Sequence, residues 1–186
     1  AREDWPAVTR IACSPSSGFH HAHYGEGGAY CTFNGLMVTA LALKAEGLVD
    51  RVLILDCDQH FGDGTQNIID ELGVDWVLHV THGGRLRGSY RDPSEMHDRI
   101  SQFMADIADP SKGRGVVLYQ AGADCHVDDP LSGFLTTEEM RERDRQVFWL
   151  AQQHRVPLVW NLAGGYLRDE RGSIAPVVAL HRQTMI

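Results

Sequence analysis

Asp56, Asp58 and His60 stand at alternating positions directly after the apolar run Arg51-Val52-Leu53-Ile54-Leu55. That run reads as a buried strand. In extended backbone, residues i, i+2 and i+4 share a face, so two carboxylates and an imidazole can converge at the strand's carboxyl end. Burying such a set requires a metal or counter-charges, and oxygen and imidazole donors suit a divalent ion such as zinc. The other reading is a hydrogen-bonded strand-to-helix turn, with Gly62 and Gly64 making the bend.

The elements that must position these residues follow from the rest of the chain. Candidate strands run over Val8–Cys13, Arg51–Leu55, Trp76–Val80, Val116–Gln120 and Val156–Trp160. Helices are predicted over Thr32–Glu46, Thr65–Leu72, Glu95–Ile107 and Thr136–His154, and from near Ile174. Gly47 and Gly73 act as stops, and Thr136-Thr137 ahead of Glu138-Glu139 is a capping signature. A Gly- and His-rich loop is expected over Ser14–Gly28, and a polar loop over His82–Pro93. The charges of Glu138–Arg145 read as a solvated helix face. Strands alternating with helices predict a parallel sheet in an α/β domain, whose ligands bind beyond the carboxyl ends of the strands.

Composition narrows the class. At 186 residues the chain reads as a single domain, large enough to bury about 70% of its unfolded surface. Its 43% hydrophobic and 23% charged residues are ordinary for a globular protein. A net charge of −8 argues against nucleic acid as a partner and is compatible with a cationic substrate. Cys13, Cys31, Cys57 and Cys125 form no Cys-x-x-Cys pair, so reduced thiols in a cytoplasmic protein are expected. No apolar stretch approaches 18 residues, so no membrane partner is expected. The N-terminus shows no signal-peptide pattern and no starting Met, and further sequence upstream is expected.

Four of the strands lead into polar clusters: Gly18-Phe19-His20-His21-Ala22-His23, the Asp56–His60 segment, Gly122-Ala123-Asp124-Cys125-His126, and Gly164-Gly165-Tyr166. Any one of them could be loop filler. Four at one edge of one sheet are hard to reconcile with that.

Together with Asp63-Gly64-Thr65 and Asp129-Pro130-Leu131-x-Gly133-Phe134, these stretches resemble the histone deacetylase family, including its acetylpolyamine amidohydrolase and acetoin-utilisation relatives. They occur in family order from Ile11 to Tyr166. The resemblance implies a three-layer, arginase-like α/β fold and zinc-dependent hydrolysis of an N-acetyl amide. It implies Asp58, His60 and Asp124 as zinc ligands, and His20 and His21 as tandem catalytic histidines. Asp56 would partner His20, Asp63 would partner His21, and Tyr166 would donate to the substrate carbonyl. Phe19 and Tyr30 would line an acyl channel, with core packing the other reading for Tyr30. The substrate would be an acetylated lysine or polyamine. His23, His79, His82 and His126 are left to surface or supporting positions.

The chemistry agrees with that set. Three protein ligands leave a metal open positions, and a bound divalent ion acidifies water and polarises a carbonyl. A histidine then accepts the water proton and one returns a proton to the amine. His21 is favoured as base and His20 as electrostatic support, each oriented by its carboxylate. The same donors accept Fe2+ or Co2+. A monovalent cation near Asp56, Asp58 and His60 is a further expectation from the resemblance.

The departures concern completeness. Family domains are longer, so N-terminal strands and a rim loop are expected to lie outside this stretch. Phe61 stands where a second histidine is common, and the segment from His79 to Pro93 lacks the usual Pro-Gly-Thr-Gly. Self-association as a homo-oligomer is expected, because a sheet without its edge strands exposes apolar surface. Two alternatives stand: an inactive metal-binding remnant serving in assembly, and a binuclear ureohydrolase-like enzyme, whose metals would sit about 3.5–4 Å apart.

Overall fold

A computed structural model describes residues 10–83, 92–131 and 133–185. The elements run β1 (Ile11–Ser14), α1 (Gly35–Ala45), β2 (Arg51–Asp56), α2 (Asp63–Leu72), β3 (Val77–Thr81), α3 (Pro93–Ile107), β4 (Gly115–Gly122), α4 (Thr137–Gln153), β5 (Leu158–Ala163) and α5 (Ala175–Thr184). The strands form one parallel sheet in the order β1-β5-β4-β2-β3. This is the expected α/β architecture. Val8 and most of the loop expected over His82–Pro93 lie outside the described residues.

The period-2 alternation of the central strands explains the layers. In β2, Leu53 and Leu55 enter a core with Met96, Ile100, Met104 and Ile107 of α3, Met140, Val147 and Leu150 of α4, and Leu180 of α5. Val52 and Ile54 face the other way, onto Leu36, Met37 and Ala40 of α1 and Ile68 and Ile69 of α2. Both faces of β2 and β4 are therefore covered, which is why these strands read as unbroken apolar runs.

Local signals set the helix ends. Asn34 caps α1 by accepting from Met37 N at 3.1 Å. Thr136 and Glu139 form a reciprocal capping box at α4. Gly73 ends α2 in the left-handed conformation, φ 59°. Among the described residues no helix is long and apolar enough to cross a membrane.

One expectation fails on α4. The charges of Glu138–Arg145 do not form a uniformly solvated face: Arg143 is 0% and Asp144 5% exposed. Both turn into the core, where the Asp144 carboxylate accepts from Arg143 Nε, Tyr119 Oη and Thr184 Oγ1. Buried charge is tolerable there because it is paired and hydrogen-bonded.

Candidate metal and catalytic centre

The β2–β4 ladder closes at the pair Asp56↔Gln120. Beyond that point Gly122 packs against the Cys57 and Asp58 backbone, and the ionisable side chains follow. Asp58 and His60 come from the tip of β2, and Asp124 from the tip of β4. One donor atom from each of these three lies within 4.8 Å of the others. His60 Nδ1 sits 3.0 Å from both Asp58 Oδ1 and Asp124 Oδ2. Asp124 Oδ1 accepts from Gln59 N at 3.1 Å, whereas Asp124 Oδ2, fully buried, accepts no hydrogen bond.

The electrostatics are those of a cluster short of positive charge. Burial, then the Asp124 charge, push the Asp58 carboxyl above its ordinary range. The facing Asp124 and Asp58 carboxylates raise His60 to about 10. Without a metal, the His60 Nδ1 proton is the positive charge between the two carboxylates. A divalent cation held by Asp58, His60 and Asp124 would replace that proton and satisfy the orphaned Asp124 oxygen, so the donor set fits such an ion.

The two expected histidines reach this point from the loop between β1 and α1. Thr65 N donates to His20 O at 3.0 Å. Gly64 makes that contact possible, since a side chain there would meet the His21 and Ala22 backbone at 2.4–2.6 Å. His20 Nδ1 pairs with Asp56 Oδ2 at 2.7 Å, and His21 Nδ1 with Asp63 Oδ1 at 2.6 Å. With Nδ1 engaged by a carboxylate, the proton is assigned to Nδ1 and Nε2 is left for chemistry. The rings lie 4.0 Å apart, and that of His21 is 5.9 Å from His60.

The two pairs differ in proton affinity. Burial disfavours the His20 cation, but Asp56, Asp58 and Asp124 together outweigh it and raise His20 to about 9. For His21 burial wins over the Asp63 hydrogen bond, and its pKa falls below the usual histidine value. Asp56 is held below the carboxylate range: burial opposes ionisation, but the His20 charge and hydrogen bond prevail.

Tyr166 completes the pocket. Its backbone N donates to Asp129 Oδ2 at 2.8 Å, which gives the Asp129-Pro130-Leu131 stretch a positioning role. Gly164 holds φ 49° with its α-carbon against the Asp124 carboxyl, where a side chain would lie 2.5 Å from Cγ. Phe19, Tyr30 and Tyr166 line a pocket of about 170 Å³ with His20, His21 and Asp58. Tyr30 is 83% exposed, which removes its core-packing reading. Burial and then Asp58 and Asp124 raise the Tyr166 phenol to about 12, so it stays a proton donor.

Of the spare histidines, His82 and His126 are buried rather than at the surface. His82 Nδ1 lies 3.3 Å from Cys57 Sγ, and His126 Nε2 bonds Thr137 Oγ1 at 2.9 Å. Sequence reasoning missed Gln120, whose Nε2 donates to Asp56 Oδ1 at 3.0 Å, and Cys31, which lines the pocket. The four cysteines are free thiols.

Comparison with known proteins places this geometry. The histone deacetylase domain model matches residues 6–80. Histone deacetylase 2 of Arabidopsis thaliana is 24% identical over 191 residues, covering 94% of this chain and 49% of its own length. The chain is similar to the histone deacetylase family. An uncharacterized protein of Picosynechococcus is 29% identical over 185 residues, covering 92% of this chain and 61% of the relative. The crystal structure of an acetylpolyamine aminohydrolase from Burkholderia pseudomallei superposes with a TM-score of 0.70 at 22% identity, over 96% of this chain and 56% of that one. The sheet and helices are thus those of the histone deacetylase, arginase-like fold. The chain spans about half to three fifths of the length of these relatives.

Proposed function

We propose that this chain carries the catalytic centre of a metal-dependent amidohydrolase that removes an acetyl group from an acylated amine, either a lysine side chain or a polyamine. One observation carries the reading: an under-compensated Asp58–His60–Asp124 donor set presents Asp58 to a pocket that two carboxylate-oriented histidines and a tyrosine also line. Asp58, His60 and Asp124 would hold Zn2+. When bound, that ion supplies a Lewis acid for the carbonyl and for water.

The residues then divide the work. His21, kept neutral by burial, accepts the water proton at Nε2 while Asp63 fixes its ring. His20, held charged by Asp56, stabilises developing negative charge. The Tyr166 hydroxyl donates to the carbonyl oxygen as it gains charge. Phe19 and Tyr30 flank the acyl-bearing stem, and a histidine returns the proton to the departing amine.

Among the described residues one donor triad meets the requirement for holding an ion, which gives a binuclear mechanism no second site there. The test is hydrolysis of an acetyl-lysine peptide by the zinc-loaded chain, with Asp58→Ala as the blank. Turnover above the blank is expected. Zinc bound stoichiometrically without turnover would sink the enzymatic reading of this chain and leave the metal-binding assembly module.

A further inference from the structure

The candidate metal ligands sit just past the end of the β2–β4 ladder. The β2–β4 ladder ends at Asp56↔Gln120; beyond it Cys57 N donates to Gln120 O at 3.0 Å, Cys125 Sγ to Cys57 O at 3.0 Å and Gln59 N to Asp124 Oδ1 at 3.1 Å. One turn of chain later come Asp58 and Asp124, whose separation decides whether a metal can be shared.

Arg143 reaches that place from α4. Its guanidinium is 0% exposed. Nη1 donates to Gly122 O at 2.9 Å and lies 3.4 Å from Cys57 O. Cys57 immediately precedes Asp58, and Gly122 stands two residues before Asp124. One side chain therefore grips both ligand-bearing strand tips beyond their own ladder. The guanidinium is itself anchored: Nε donates at 2.8 Å to Asp144 Oδ1, and Asp144 is held by Tyr119 Oη and, at 2.7 Å, by Thr184 Oγ1. A planar fork with fixed donor directions can bridge three acceptors in this way, whereas a lysine ammonium on a flexible stem cannot hold the same geometry.

We infer that Arg143 is a positioning residue for the metal centre, fixing the spacing of Asp58 and Asp124 by clamping the carbonyls of Cys57 and Gly122. It rests on the metal reading above. The consequence is that metal affinity and ligand geometry depend on a residue that touches neither metal nor substrate.

The test is Co2+ titration of the chain, read by the visible d–d absorption and by competition with a chelator, at a temperature where circular dichroism shows each variant folded. Arg143→Lys is expected to bind Co2+ at least about ten-fold more weakly, as loss of a ligand-supporting contact typically does, with a shifted band. An unchanged band and affinity in folded Arg143→Lys, with only a lower melting temperature, would overturn the inference and leave a purely structural role. Where Arg143→Lys does not fold, Tyr119→Phe decides, because it loosens Asp144 alone. The expected loss is about three- to five-fold, the weight of one hydrogen bond, and no loss overturns the inference. Failure of the unaltered chain to bind Co2+ would overturn the metal reading itself and the inference with it.

Discussion

His20–Asp56 and His21–Asp63 are the same pair of residue types, 4.0 Å apart ring to ring, with opposite proton affinities. Asp56 is fully buried and its other oxygen is taken by Gln120 Nε2 and Asp58 N. The Asp63 side chain is 52% exposed. Water screens the exposed carboxylate, so it orients His21 without charging it; the buried one, reinforced by Asp58 and Asp124, keeps His20 protonated. Environment rather than residue type separates a candidate base from an electrostatic partner.

The sharpest way to break that contrast is to remove each imidazole. His21→Ala should cut kcat about 10²- to 10⁴-fold, the usual weight of a general base, with zinc content unchanged. His20→Ala should cost less, about ten- to a hundred-fold. It should also destabilise the fold by about 3 kcal/mol, because Asp56 is left as a buried charge without its cation. Denaturant melts and steady-state kinetics on both variants check this. A larger kinetic loss in His20→Ala would reverse the assignment.

A smaller effect is expected at the exposed carboxylate. Asp63→Asn should lower turnover about ten-fold by freeing the His21 ring and change stability by under about 1 kcal/mol. The pH profile sharpens the point. His21 must be neutral to accept a proton and its pKa is lowered, so kcat/KM should be lost only as pH falls below about 6.5. Asp63 raises the His21 pKa, so Asp63→Asn should move that acid limb lower still. An acid limb above 6.5 would mean that His21 is not the buried neutral base.

The gentlest test concerns protons alone. His60 is protonated up to about 10 in the metal-free chain, and a ligand imidazole must be neutral. Zinc binding at neutral pH should therefore release more than one proton, that of His60 and part of one from Asp58, whose carboxyl is raised to about 7, seen as calorimetric enthalpies that vary with the buffer's ionisation heat.

Much of this was legible in sequence because β2 and β4, buried on both faces, read as apolar runs with polar residues placed just past their ends. The spacing of Asp56, Asp58 and His60 does place three candidate side chains at one strand tip. The boundaries were less legible. β5 was expected to end at Trp160 but runs to Ala163, since Asn161 interrupts the apolar pattern while bonding Leu162 O at 2.8 Å. α1 begins at Gly35 rather than Thr32 because the Asn34 side chain caps it. Gln120 looked like the polar end of a strand, and its bond to Asp56 depends on a register that no local pattern carries. Arg143 and Asp144 were hidden among exposed charges of the same helix. Their burial follows from which helical face meets β4, a tertiary fact.

The neighbours β2 and β4 are not neighbours in sequence, because β3 and α3 lie between them. Chain closure over that distance must precede any meeting of Asp58 with Asp124, and such non-local pairing is slow compared with helix formation. A coloured metal ion added during refolding would therefore serve as a clock. Its band should grow with the last long-range strand pairing, well after the far-ultraviolet signal of the helices has returned.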